Sequence, residues 1–128
     1  MQIKKLTPNL IVRNVEASLK FYREVLGLET AITVPEESPY VFAGVTNGTV
    51  DIFFNDQKVV AAEYPKLAAT IGASLTLYLE VDNQQAVLER VEKTNAKISM
   101  PVTEQFYGMR EFAFEDPDGY TITIAEKM

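Results

Sequence analysis

Asn14-Val15-Glu16-Ala17-Ser18-Leu19-Lys20-Phe21-Tyr22, closed a turn later by Gly27, decides the reading of this chain. Asn14 is a good helix N-cap, because its short side chain accepts from a free backbone N–H of the first turn. Val15, Leu19, Tyr22 and Leu26 fall at helical spacing, and Phe21 and Val25 widen that apolar stripe. Gly27 supplies the left-handed residue at which helices commonly stop. The pattern returns 69 residues later, where Asn83 takes the place of Asn14. The same shift pairs Leu10 with Leu79, Val12 with Val81, Ala17 with Ala86 and Leu19 with Leu88. Internal self-similarity of this kind points to a repeated structural unit.

Working outward, Leu6–Val12 reads as a strand before the first helix. Leu28–Val34, Tyr40–Val45 and Thr49–Phe54 read as three strands after it. Asn47-Gly48 is a strong hairpin signal between the last two. After the second motif, Ser74–Val81 is a strand and a helix runs from the Asn83 cap to about Thr94, with Val87, Leu88 and Val91 apolar. Ala96–Met100, Gly108–Phe114 and Tyr120–Ala125 are further strands. Asp116-Pro117-Asp118-Gly119 makes the closing turn, proline setting the first turn angle and glycine taking the positive one. Gly48 and Gly119 end matching hairpins 71 residues apart. The chain is therefore expected to be one α+β domain of two tandem βαβββ modules, residues 1–56 and 73–128. The connector, 57–72, is long for a plain loop, and a short helix is expected after Tyr64-Pro65, over Lys66 to Thr70.

The 128 residues suit a single domain, and 47% hydrophobic with 23% charged is ordinary for a globular protein. The net charge of -6 disfavours phosphate backbones, so nucleic acid is not an expected partner. The same charge keeps a domain soluble and favours cationic small molecules. There is no cysteine and no histidine, which removes thiolate chemistry, disulfides and imidazole metal ligands together. Met1 to Leu10 lacks the apolar core of a signal peptide, and no apolar run is long enough to span a membrane. A cytoplasmic location is the expectation.

Strand side chains alternate between two faces. Leu75, Leu77, Leu79 and Val81 form one purely apolar face, expected to pack on helices, while Ser74, Thr76, Tyr78 and Glu80 form the other. Val50, Ile52 and Phe54 likewise oppose Asp51, Phe53 and Asn55, and Ile122 and Ile124 oppose Thr121, Thr123 and Ala125. In the first strand Leu6, Pro8, Leu10 and Val12 oppose Thr7, Asn9 and Ile11. Each module thus keeps a second face of aromatics mixed with hydroxyls, amides and carboxylates. Such a mixture suits a small-molecule pocket; it equally describes a solvated sheet face.

The Asn14–Tyr22 segment followed by Val25-Leu26-Gly27 resembles the first-helix motif of the glyoxalase I, bleomycin-resistance and extradiol-dioxygenase superfamily. Tyr107-Gly108-Met109-Arg110-Glu111-Phe112 and Glu115-Asp116-Pro117-Asp118-Gly119-Tyr120 resemble its last hairpin. The resemblance implies paired modules whose strands form a curled mixed sheet around a cleft. It also implies, in metal-dependent members, one ligand on the first and one on the last strand of each module. Those positions fall on Thr7, near Asp51, on Thr76 and on Thr123. Three neutral hydroxyls and one carboxylate make a poor site for zinc, nickel or iron, which want imidazole and carboxylate. The expectation is accordingly no metal, no cofactor and no catalytic residue, as in the bleomycin-resistance-like branch.

The expected activity is binding of a small planar or cationic organic molecule, with antibiotic sequestration as one form of it. The alternative is a glyoxalase-like lyase or isomerase acting on a small carbonyl compound, with Glu80 or Glu111 as base and Tyr78 or Tyr107 as proton donor. Candidate ligand-binding residues in the first module are Asn9, Phe42, Asp51 and Phe53. In the second they are Thr76, Tyr78, Glu80 and Thr123, together with Phe106, Tyr107, Met109 and Glu111 on or beside the last hairpin. The aromatics among them would form a stacking wall, or else pack in the core. Arg110 reads as a partner for a nearby carboxylate or as an anion clamp. The resemblance also implies a homodimer. Pro8 suits an edge strand exchanged between protomers, and it suits a strand start equally well.

Overall fold

Twelve elements alternate along the chain, and the computed structural model describes residues 1–128 throughout. They fall into two compact units, Met1–Ile71 and Gly72–Met128.

In the first unit, β1 (Asn9–Val12) leads into helix α1 (Val15–Leu26), followed by β2 (Glu29–Val34), β3 (Phe42–Thr46) and β4 (Asp51–Asp56). The four strands form a sheet in the order β1-β4-β3-β2, with β1 parallel to β4 and the other pairs antiparallel. The Asn14 side chain accepts from Ala17 N, and Gly27 ends the helix at φ 67, as the sequence motif requires. One face of the sheet presents Leu10, Val12, Ala43, Val45, Ile52 and Phe54, all buried. Val15, Leu19, Tyr22 and Val25 of α1 are buried too. The Tyr22 and Phe54 rings meet at 4.9 Å in the middle of this core. Glu16 accepts from the Ser38 hydroxyl and from Tyr40 N, which fastens the β2–β3 connection to the start of the helix.

The strands after the helix lie within two residues of the sequence reading at each end, and two larger differences appear here. The first strand begins at Asn9 rather than Leu6. Pro8 has no N–H to give a ladder, although its carbonyl accepts from Phe53 N at 2.9 Å. The connector holds two helices, α2 (Gln57–Val60) and the expected α3 (Pro65–Ala69). Asp56 caps α2, a signal passed over in the sequence, and Gln57 Nε2 donates to the Ala68 carbonyl to fold the segment back on itself.

In the second unit, β5 (Thr76–Glu80), α4 (Gln84–Glu92), β6 (Ile98–Glu104), β7 (Met109–Glu115) and β8 (Thr121–Lys127) repeat the plan. The sheet order is β5-β8-β7-β6, with β5 parallel to β8. Phe112, Phe114, Ile122, Ile124 and Val91 are fully buried. Gln84, at the first turn of α4, is also buried and donates through Nε2 to the carbonyls of Arg110 and Ile124. The closing turn forms as expected, with Gly119 N bonded to the Asp116 carbonyl and Gly119 at φ 87.

Here too the strands shift. β6 runs on to Glu104, through Pro101, because it is an edge strand where a missing N–H is tolerated. Leu75 lies outside β5 and is exposed, while Leu77 and Leu79 are only half-buried, unlike Leu10 and Val12 on the matching edge strand β1. No helix is long and apolar enough to cross a membrane.

Candidate functional site

Each sheet keeps one face for its helix and turns the other away. In the second unit that other face carries Thr76, Tyr78 and Glu80 from β5, Thr123 and Ala125 from β8, and Glu111 from β7. The register sets Tyr78 beside Thr123, Thr123 beside Ala113, and Glu111 beside Ala125. Tyr78 is long enough to reach past β8 to the carboxylate on β7.

Glu111 is the centre of the arrangement. Carboxylates are rarely buried unless paired, yet Glu111 is only 3% exposed. Tyr78 donates its hydroxyl to Glu111 Oε2 at 2.5 Å, and the Tyr107 hydroxyl lies 2.9 Å from both carboxylate oxygens. The carboxylate holds both phenols in their protonated form. The Glu111 hydrogen bond, followed by desolvation and by nearby negative charge, pushes Tyr78 up to about 12. Tyr107 is raised in the same direction, again chiefly by its bond to Glu111. At neutral pH both tyrosines are therefore donors. Tyr78 keeps about half of its surface open, at 49%.

The remaining candidates on this unit divide. The hydroxyls of Thr76 and Thr123 bond to each other at 2.7 Å. Glu80 is exposed on the Tyr78 face, and Met109 is half-buried two residues from Glu111. Phe106 stands at the tip of the β6–β7 hairpin, 98% exposed, with its ring edge on Tyr107 at 5.1 Å. Arg110 pairs with Glu104 at 3.4 Å and lies 3.9 Å from Glu126, the structural role weighed for it in the sequence.

In the first unit, the face turned from α1 carries Asn9, Asp51, Phe53, Asn55 and Phe42. Phe42 and Phe53 meet edge to face at 5.1 Å. Asn55 donates to the Asn9 side chain. Asp51 forms an ion pair with Lys5 at 2.8 Å, which holds its carboxyl below the usual carboxylate range. Sequence reasoning missed Lys5, Asn55 and Gln84 as partners. Asn55 alone was signalled, by its alternation with Phe53.

The four positions that metal-dependent relatives would use do not fit a transition ion. Thr7 precedes β1, Asp51 is already neutralised by Lys5, and Thr76 and Thr123 satisfy one another. No group of three or more acidic side chains gathers anywhere in the chain. Neutral hydroxyls supply neither the charge nor the nitrogen such ions require.

A duplicated unit of strand, helix and three strands, with a mixed polar and aromatic sheet face in each copy, defines a class of small α+β proteins built by tandem repetition. The chain belongs to the Glyoxalase/Bleomycin resistance protein/Dioxygenase superfamily, whose family model matches residues 3–124. It is 28% identical over 127 residues to YwbC, an uncharacterized protein of Bacillus subtilis (strain 168), covering 92% of this chain and 93% of that one. Among solved structures it is similar to a glyoxalase/bleomycin resistance protein/dioxygenase family enzyme from Burkholderia phytofirmans PsJN. That similarity has a TM-score of 0.78 and 23% identity, covering 95% of this chain and 97% of the other. A hypothetical protein from S. aureus, SA1046, matches with a TM-score of 0.79 and 19% identity over 98% and 95% of the two chains. These structural similarities concern the fold.

Proposed function

We propose that this chain binds a small planar or cationic organic molecule without a metal and breaks no bond in it, as the metal-free, drug-binding branch of the superfamily does. Sequestration of an antibiotic or a similar metabolite is one form this activity takes. The observation that carries the reading is the buried Glu111 carboxylate held between the phenols of Tyr78 and Tyr107. A cation resting over those rings meets the negative face of each ring with a carboxylate behind it, an interaction worth about 0.5–2 kcal/mol for each ring contact. The net charge of -6 adds attraction at longer range.

The same geometry argues against catalysis. Glu111 is buried and each of its oxygens already accepts from a tyrosine, so a substrate proton would meet a shielded and hydrogen-bonded carboxylate. Tyr78 holds its proton far above neutrality, and no histidine or cysteine is present to act instead. We extend the reading to a homodimer in the cytoplasm. Val34 on β2 and Ile98 and Val102 on β6 leave apolar side chains exposed on edge strands, and light scattering gives the mass.

The test is titration calorimetry with benzyltrimethylammonium and a panel of flat cationic antibiotics, with and without a chelator. Saturable binding that the chelator leaves unchanged and that Glu111→Gln weakens is the expected result. Turnover of a small carbonyl compound, or activity that the chelator removes, would replace the proposal with the lyase or isomerase reading.

A further inference from the structure

The sheet face of the first unit carries a different chemistry from that of the second. Asn55 Nδ2 donates to Asn9 Oδ1, and neither side-chain amide has another hydrogen-bond partner. Two primary amides joined by one hydrogen bond leave one carbonyl oxygen and one amino group unused. This holds whichever way round the two amides are turned. One uncharged donor and one uncharged acceptor are therefore left over on the neighbouring strands β1 and β4.

Beside them lies an apolar floor. Gly44 faces Phe53 across the ladder, and a Cβ at Gly44 would come within 3.2 Å of the Phe53 ring and 3.0 Å of Ile32 Cγ2. Glycine is thus what allows the Phe53 ring to lie over β3. Phe42 closes one side edge to face, and Ile32 continues the surface with 51% exposure.

We infer that this platform recognises a flat, neutral heterocycle through a cis-amide edge, a lactam or imide whose C=O and N–H sit next to each other. The ring stacks on Phe53 while the edge meets the free donor and acceptor of the Asn9–Asn55 pair. The inference rests on the small-molecule reading given above and assigns a ligand class to the first unit.

Isoindolin-1-one, N-methylisoindolin-1-one and benzyltrimethylammonium test it on the intact chain, with binding followed by NMR of the asparagine side-chain amides. Isoindolin-1-one should shift the Asn9 and Asn55 signals and bind about tenfold or more tightly than its N-methyl form, which cannot donate. Asn55→Leu should erase that preference. Equal binding of the two lactams would overturn the inference, and the comparison on the native chain decides the matter even if the variant fails to fold. Binding of the ammonium probe alone would overturn the inference and leave the proposed function standing. Binding of neither would remove both.

Discussion

Replacing Glu111 by glutamine keeps the shape of the side chain and deletes its charge. The amide can still accept from one phenol and donate to the other, so the contacts with Tyr78 and Tyr107 can persist while their electrostatic cause disappears. Because the hydrogen bond to Glu111 is the chief reason Tyr78 is raised and the charge of Glu111 adds to it, the ionisation of Tyr78 should fall from about 12 toward the ordinary phenol value of about 10. A complete return would be about a hundredfold in the ionisation constant, and burial and the neighbouring charges keep part of it. Tyr107 should move the same way. Phenolate ultraviolet absorbance, followed against pH in both proteins, reads the change directly, and Tyr78→Phe assigns the signal among the six tyrosines. The linkage has a definite sign. A phenol whose folded pKa is raised contributes stability that is complete below about pH 10 and is lost as pH rises through about 12. The native chain should therefore lose stability across that window more steeply than Glu111→Gln. Superimposable titration curves, or parallel losses of stability, would refute the assignment of Glu111 as the group that holds both tyrosines protonated.

Asn14→Ala removes the side-chain acceptor for Ala17 N and should cost about 1 kcal/mol in denaturant unfolding, with Asn83→Ala costing a similar amount through Ala86 N. A negligible change at both would deny the shared capping role. Phe54→Ala opens a cavity against Tyr22 in a fully buried site and should cost about 3–5 kcal/mol, measured the same way. For a domain of ordinary stability that is a large share of the total, so a well-folded variant with an unchanged midpoint would contradict the packing described.

The duplicated plan was legible because its signals are local. Asn14 and Asn83 each cap a helix through their own side chains, and the Asp116–Gly119 turn closes on itself through Asp116. Alternation also sorted many of the strand side chains, placing Phe54 and Ile122 in the core and Tyr78 and Asn9 opposite. Properties set by strand neighbours were not legible. Leu77 and Leu79 read as a face packed on helices, yet they are only half-buried, while Leu10 and Val12 on the matching strand β1 are fully covered. The sequence reading ended its strand at Met100, before Pro101, and it is the edge position of β6 that lets the strand continue through the proline. Glu111 could have been a solvated charge or a base. Its burial depends on two hydroxyls, one from 33 residues away, and no sequence pattern pairs them. The neutralisation of Asp51 by Lys5 was hidden for the same reason.

The central claim is that the sheet faces hold an organic molecule and no metal. Native mass spectrometry of the protein taken from its own cell, with elemental analysis of the same sample, tests it most directly. A bound mass of a few hundred daltons with no stoichiometric zinc, nickel or iron is the result expected for a drug-sized occupant. One such ion per chain, retained through purification, would contradict the claim.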